Sequence, residues 1–246
     1  MLIRCIDTET TGEKPNIHII EVGWCNLVPI YHADETPHHW ELDPPKSLLC
    51  DPGVSVSPEA SGVHHITSAM IDGMPPPNEQ LRVACDIPHD GIFAAHNADY
   101  DRELIGDRDR SWIDTYKVAV KLAPMAPSFK LQVLRYWLKL DIDPGLGYPA
   151  HRAAPDSYVT AKLLMRILAK MSVGEMIDVS NGPIFLPWFG FGKHKKKPIV
   201  EIDDGYFKWI LEENERARFR GEEGFDDNVI YTAITELKNR GASHGY

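Results

Sequence analysis

The 246-residue chain predicts an α/β fold, a mixed sheet flanked by helices with a small C-terminal α+β extension. Three observations carry this. Apolar, β-compatible runs fill the first forty residues. Strand-like and helix-like segments alternate after about residue 90. A turn-rich junction then precedes a last segment with apolar positions of its own. Strands that lead and afterwards alternate with helices give a sheet covered by helices. The junction, DVSNGPIFLPW, puts a boundary near Asn181–Pro183, with one domain over 1–180 and the extension over 184–246.

Residues 2–7 are apolar and suit a buried strand. Ile17–Val28 is long and β-branched and reads as a second strand, and His38–Leu42 as a third, together an antiparallel meander. Residues 44–63, rich in Pro, Ser and Gly, read as loop. Thr67 or Ser68 can cap a short helix. Ile92–Asn97 is a short buried strand, followed by a helical stretch from about Tyr100 to Ile105. Ser128 is expected to cap a helix that sets Leu131, Leu134 and Leu138 on one stripe. The clearest helix spans 156–171. There Val159, Leu163, Ile167 and Met171 recur every fourth residue, and Leu164 and Leu168 widen the apolar face. Further helices are expected over 204–214 and near Asp227–Arg240. There is no internal repeat.

Composition is that of a globular chain, 43% hydrophobic and 25% charged. No run of about 18 apolar residues predicts a transmembrane helix, and the N-terminus does not read as a secretory signal. Cys5, Cys25, Cys50 and Cys85 form no C-x-x-C pair, so neither disulfides nor a thiolate zinc site is expected, and a cytoplasmic location fits. Net charge is −10, which on its face opposes nucleic-acid binding. Residues 184–246 are nearly neutral, with 10 Lys+Arg against 11 Asp+Glu, so the acidity sits in the body. An acidic body repels a polyanion unless some of its acids hold cations.

CIDTETTG supplies candidates for that role. Residues i and i+2 of a strand share a face, so Asp7 and Glu9 project together where the first strand ends. Two close carboxylates repel, and a divalent cation with hard oxygen ligands compensates them. Two solvated acids at a strand end would read the same way. AAHNADYDREL repeats the pattern, with His96–Asn97 closing a strand and Asp99 and Asp101 opening a helix, a position that helix electrostatics alone also favours. Asp156 opens the strongest helix, where capping is the plainer role, and His151 lies in the loop before it.

In combination these segments are far more specific. D-x-E, then H-N-x-x-[aromatic]-D-x-x-L, then H-x4-D, in that order, resembles the DEDDh family of 3′→5′ exonucleases over roughly residues 1–175. VHHIT (Val63–Thr67) looks like the family's H-x-I-T element, and WIDTYKVAVKLAP sits where the family has a strand and helix. FGFGKHKKKP…GYFKWIL resembles the extension of the family's exodeoxyribonuclease X branch. The resemblance implies a ribonuclease H-like fold and two divalent cations, Mg²⁺ or Mn²⁺, held by Asp7, Glu9, Asp101 and Asp156. His151 would be the general base, and nucleoside 5′-monophosphates would leave a DNA 3′ end. It places Thr8 and Thr10 at the terminal nucleotide and His64 and Ile66 against the bases. Asn97 matches the family's Asn at the second motif, a substrate-side position at which it would order the turn. Two departures stand out. Asp99 adds a carboxylate that would compete for metal or face solvent. Pro155 is tolerated at a helix start but restricts Ala154 to extended backbone, which would shift His151.

GKHKKKP puts four lysines in five residues, with Phe189, Phe191, Tyr206, Phe207 and Trp209 nearby. The aromatics read as packing of a small module. Lys195, Lys196 and Lys197 read as phosphate contacts to single-stranded or duplex DNA. An RNA-trimming enzyme of the same family, a silent binding module and a polymerase-associated proofreading subunit are the alternatives. RNA is thus a second candidate substrate, and a homodimer is an open assembly state. No H-E-x-x-H spacing supports a zinc hydrolase.

Overall fold

The computed structural model describes residues 1–12, 17–31, 37–107 and 109–243. Its sheet is mixed. β1 (Ile3–Thr10) pairs antiparallel with β2 (Ile19–Tyr31), whose other edge is shared by β3 (Pro37–Leu42) and β4 (Lys46–Leu49). On its far side β1 runs parallel to β5 (Ile92–Ala95), which runs parallel to β6 (Trp112–Asp114). Pairing of β1 with β5 covers only Ile3–Cys5, so β1 outruns its neighbour and its carboxyl end stands beside an open crevice. Ligands of open α/β sheets bind in such crevices.

The helices before the crevice are α1 (Pro58–His64), α2 (Ser68–Ile71) and α3 (Pro77–Ala84). After β5 the chain adds α4 (Ala98–Ile105), α5 (Thr115–Leu122), α6 (Leu131–Trp137), α7 (Ala153–Leu168) and α8 (Val173–Ser180). Val159, Leu163, Leu164 and Ile167 of α7 bury the predicted apolar face against Ile3, Cys5 and Leu27. All four cysteines are free, three of them buried. Among the described residues no helix is long and apolar enough to cross a membrane.

Several expectations change. β1 continues through Thr10, so Glu9 lies within the strand rather than past an end at Asp7. The 44–63 loop contains β4, paired with Glu21–Trp24, and α1, capped by the Ser57 side chain, which accepts from Ala60 N. α7 starts at Ala153, three residues early. Ala154 is therefore helical despite the following proline, whose missing N–H is not needed in a first turn. Beyond residue 183 the chain forms α9 (Asp204–Phe219), α10 (Asp227–Ser243) and a 3₁₀ turn at Ile199–Glu201. The one β pairing described there is an isolated bridge between Trp188 and Pro198, so the extension is helical rather than α+β. Its Phe189, Ile199, Phe207 and Val229 join the same core as Ile3 and Leu164, and Trp188 stacks on Phe129 at 5.4 Å.

Candidate active site

The two-residue period of β1 turns Asp7 and Glu9 to one face, and α7 brings Asp156 to meet them. One carboxylate oxygen from each of the three lies within 4.8 Å of the others. These acids line a cleft of about 190 Å³ together with Asp101 and His151. The five residues singled out in sequence for catalysis therefore meet in one place, although they come from a strand, two helices and a loop.

Each acid is fixed by a local reason. Where β1 runs past its pairing with β5, Asp101 on α4 accepts the main-chain N–H of Thr8. Asp101 Oδ1 also accepts the Thr8 hydroxyl at 2.8 Å. Asp156 Oδ2 accepts from the His151 main-chain N–H at 2.9 Å, and its Oδ1 from Gln132 Nε2 at 2.5 Å. His151 adopts a left-handed backbone, φ 59°, and its side chain is exposed at the cleft.

Burial is the first cause that sets the charge state of this group, and mutual repulsion follows. Asp7 is raised well above the usual carboxylate range by burial and then by Asp101, Asp156 and Glu9. Glu9 is pushed up to about 8 by burial, Asp156 and Glu21. Burial takes Asp101 to about 7 even though the Thr8 bonds oppose it, and Asp156 is raised by burial against the His151 and Gln132 bonds. Clustered, half-dry carboxylates of this kind are compensated by a divalent cation with oxygen ligands. The donor set fits a hard cation, with Asp7, Glu9 and Asp156 in contact range and Asp101 beside them.

The sequence reading missed Glu21, opposite Glu9 in the β1–β2 register. It is 1% exposed and accepts from Arg152 Nε, Arg152 Nη2, Ala153 N and Ser47 Oγ. Burial alone would raise its pKa, but these bonds hold it below the ordinary value. The clamp fastens the start of α7, and hence His151 and Asp156, to the sheet. Gly23, two residues on, lets α7 sit that close, because a Cβ there would lie 2.2 Å from the Ala153 carbonyl carbon.

The expected substrate contacts fare differently. Thr8 has its hydroxyl committed to Asp101. Thr10 Oγ1 donates to Gly12 O and meets the Tyr100 hydroxyl at 3.2 Å. His64 is buried, with Nδ1 accepting from Ile66 N and Nε2 donating to Thr10 O, which ties α1 to β1. Ile66 is fully buried with Ile20, Val56 and Ile71, so it supports α1 and does not reach the cleft. Val63 is exposed instead, and with Glu9, Thr10 and His64 it lines an adjoining cleft of about 450 Å³. Asn97 is left-handed, φ 74°, and caps α4 through its backbone, its N–H donating to Asp114 Oδ1. Its side chain is exposed at the same cleft as the acids.

Asp99 turns outward to Lys117 Nζ at 3.0 Å. His96 lines the cleft, but both ring nitrogens are engaged, by Thr115 Oγ1 and Phe129 O, and burial lowers its pKa to about 4. It is a neutral wall. In the extension Lys195 and Lys196 are exposed and Lys197 is half-buried, while Phe189, Tyr206 and Phe207 are buried packing.

Comparison with known proteins agrees with this geometry. The exonuclease family model (RNase_T) matches residues 5–164. Exodeoxyribonuclease 10 of Escherichia coli K12 is 30% identical over 218 residues, covering 85% of this chain and 90% of that protein. A PolC-type DNA polymerase III of Thermotoga petrophila is 28% identical over 190 residues, 72% of this chain but 13% of the polymerase. Among solved structures, exonuclease X in complex with 5′ overhanging duplex DNA superposes with a TM-score of 0.60 at 28% identity, over 72% of this chain and 99% of that one. The nuclease domain of 3′hExo, a DEDDh family member bound to rAMP, shares the fold at 16% identity and a TM-score of 0.51, over 68% of this chain and 92% of that one. The chain belongs to the exonuclease family, as a DEDDh-type member with a ribonuclease H-like fold.

Proposed function

We propose that the protein is a 3′→5′ exodeoxyribonuclease that hydrolyses the terminal phosphodiester of a DNA strand and releases nucleoside 5′-monophosphates. The observation that carries this is the meeting of Asp7, Glu9, Asp101, Asp156 and the exposed His151 in one cleft. The names of the exodeoxyribonuclease relative and of the DNA-bound neighbour support DNA as the substrate.

Asp7, Glu9, Asp101 and Asp156 would hold two divalent cations, Mg²⁺ or Mn²⁺, which when bound clamp the scissile phosphate and stabilise charge on both reacting oxygens. Asp156 is oriented for this by Gln132 and by the His151 N–H. The His151 imidazole takes the proton from the attacking water oxygen as the new P–O bond forms. The bond from phosphorus to the 3′ oxygen breaks, and that oxygen takes a proton from solvent water, leaving a 3′ hydroxyl on the shortened strand. Such general-base help contributes roughly 10²–10⁴ in rate. His96 cannot share the task, since its Nε2 donates to Phe129 O. Thr10, Val63, His64 and Asn97 border the space for the terminal nucleotide. Lys195, Lys196 and Lys197 of the 184–246 extension meet phosphates farther along the strand.

The test is digestion of single-stranded DNA, duplex DNA and RNA, each labelled at either end, with Mg²⁺, with Mn²⁺ and with EDTA. Mononucleotides released first from the 3′ end of DNA, only with metal, support the reading. Preference for RNA would make the chain an RNA-trimming enzyme, and release from the 5′ end would overturn the polarity.

A further inference from the structure

We propose that Tyr136 and Tyr148 form an exposed stacking platform that holds a base of single-stranded DNA beside the catalytic cleft. The inference rests on the nuclease reading above and adds a subsite to it.

Tyr136 lies in the last turn of α6, and Tyr148 lies three residues before His151. They are large aromatics left outside the core, 61% and 49% exposed. Their hydroxyls meet at 2.6 Å. Behind both rings sits the guanidinium of Arg135, itself buried, 4.2 Å from the Tyr148 ring centre and 5.2 Å from that of Tyr136. Arg135 Nη1 donates to Gly147 O at 2.7 Å and to Gln132 Oε1 at 3.2 Å. Gln132 in turn donates to Asp156. An unbroken chain of contacts thus runs from the two rings to a carboxylate of the cleft, and Tyr148 is close in the chain to His151, which lines that cleft.

The arrangement suits a nucleobase. The two rings share the Arg135 guanidinium and are joined through their hydroxyls, which lowers the ordering cost of binding, and both remain substantially exposed. Stacking on such rings tolerates any base. The competing role is a clasp, in which the paired hydroxyls merely fasten the loop carrying His151. A clasp needs the hydroxyls, whereas a platform needs the rings.

The experiment compares Tyr136→Phe/Tyr148→Phe and Tyr136→Ala/Tyr148→Ala in the full chain. Binding of a long single-stranded DNA is read by fluorescence anisotropy without divalent metal. With metal, kcat/KM is read for that DNA and for a dinucleotide. The alanine pair is expected to weaken binding of the long strand on the order of 10-fold or more and to lower the long-to-dinucleotide kcat/KM ratio by a similar factor, with the phenylalanine pair near wild type. Equal damage by both pairs, or a fall in activity on both substrates that leaves their ratio unchanged, would establish the clasp and overturn the platform. Unweakened binding in the alanine pair would also overturn it. A wild-type protein that binds DNA but cleaves neither substrate refutes the nuclease reading, while the binding comparison still decides the platform.

Discussion

Arg152 closes on Glu21 with two hydrogen bonds, Nε to Oε2 at 2.9 Å and Nη2 to Oε1 at 2.8 Å. The pair joins β2 to the residue that caps α7, directly after His151. Removing one partner of a buried pair leaves an uncompensated charge. Arg152→Ala is therefore expected to cost about 3 kcal/mol of stability and to lower activity further by loosening His151 and Asp156. Urea unfolding and turnover at a temperature where the variant stays folded measure the two effects separately. A variant as stable and as active as wild type would show that the clamp does neither job.

Gly23 makes the same junction possible by leaving room. An added Cβ would sit 2.2 Å from Ala153 C and 2.4 Å from Ala154 N, which are main-chain atoms that cannot swing aside. Gly23→Ala must displace the start of α7 from the sheet. Overpacking costs about 1–3 kcal/mol, and a misplacement of about 1 Å at a catalytic group can cost 10²-fold in rate. The expected outcome is a folded protein, by circular dichroism, with kcat reduced on the order of 100-fold.

The acid cluster sets a pH dependence. Glu9 is raised to about 8 and Asp101 to about 7, by burial first, while both titrate near 4 when unfolded. Between those limits the folded state binds more protons than the unfolded state, so stability falls as pH rises. Metal-free protein should thus lose thermal stability progressively from about pH 4 to about pH 8 through these groups. Mg²⁺ or Mn²⁺ should restore it, most strongly at the alkaline end, because a cation binds the deprotonated acids. Thermal melts across that range, with EDTA or with metal, check this. A metal effect that does not grow with pH would remove these acids from the cation site.

What was legible in the sequence follows physical range. Asp7 and Glu9 share a face because the strand period is local, and the α7 stripe is legible for the same reason. Asp101, His151 and Asp156 could be joined to them only through the order of the family motifs, since no spacing rule links a strand to helices about a hundred residues away. Glu21 gave no signal, being one acid in an apolar run whose partner is 131 positions distant. β4 was hidden because its four residues lie among prolines and serines, and only pairing with β2 makes them a strand. Ile66 was placed at the substrate by motif alone, whereas its burial depends on Ile20 and Val56 from other elements.

His151 carries the proton in the proposed reaction, and the exposure of its side chain at the cleft sets it apart from the engaged His96. His151→Ala is expected to lower kcat by roughly 10²–10⁴ with little change in KM. Asp99→Ala, which removes only the outward pair with Lys117, should keep most activity. Steady-state kinetics on a 3′-labelled strand compares the two. Equal losses would mean that the base has been assigned to the wrong residue.

The extension presents Lys195 and Lys196 to solvent on a tight turn, with Lys197 half-buried beside them and Lys193 over the Tyr206 ring at 5.3 Å. No ion pair to an acid is found for these four lysines among the described residues. Their charge is therefore available to phosphates, in a chain whose net charge is −10. Each lysine that neutralises a phosphate of single-stranded DNA contributes about 0.7 to the slope of log affinity against log salt. Changing Lys195, Lys196 and Lys197 together to alanine should weaken DNA binding and flatten that slope by about 2. The fold should hold, since the aromatics beneath the turn, Phe189 and Phe207, keep their packing. An affinity series from low to high salt gives both quantities. A parallel slope with weaker binding would mean that the lysines shape the turn without touching the strand, and an unchanged affinity would leave the extension with packing alone.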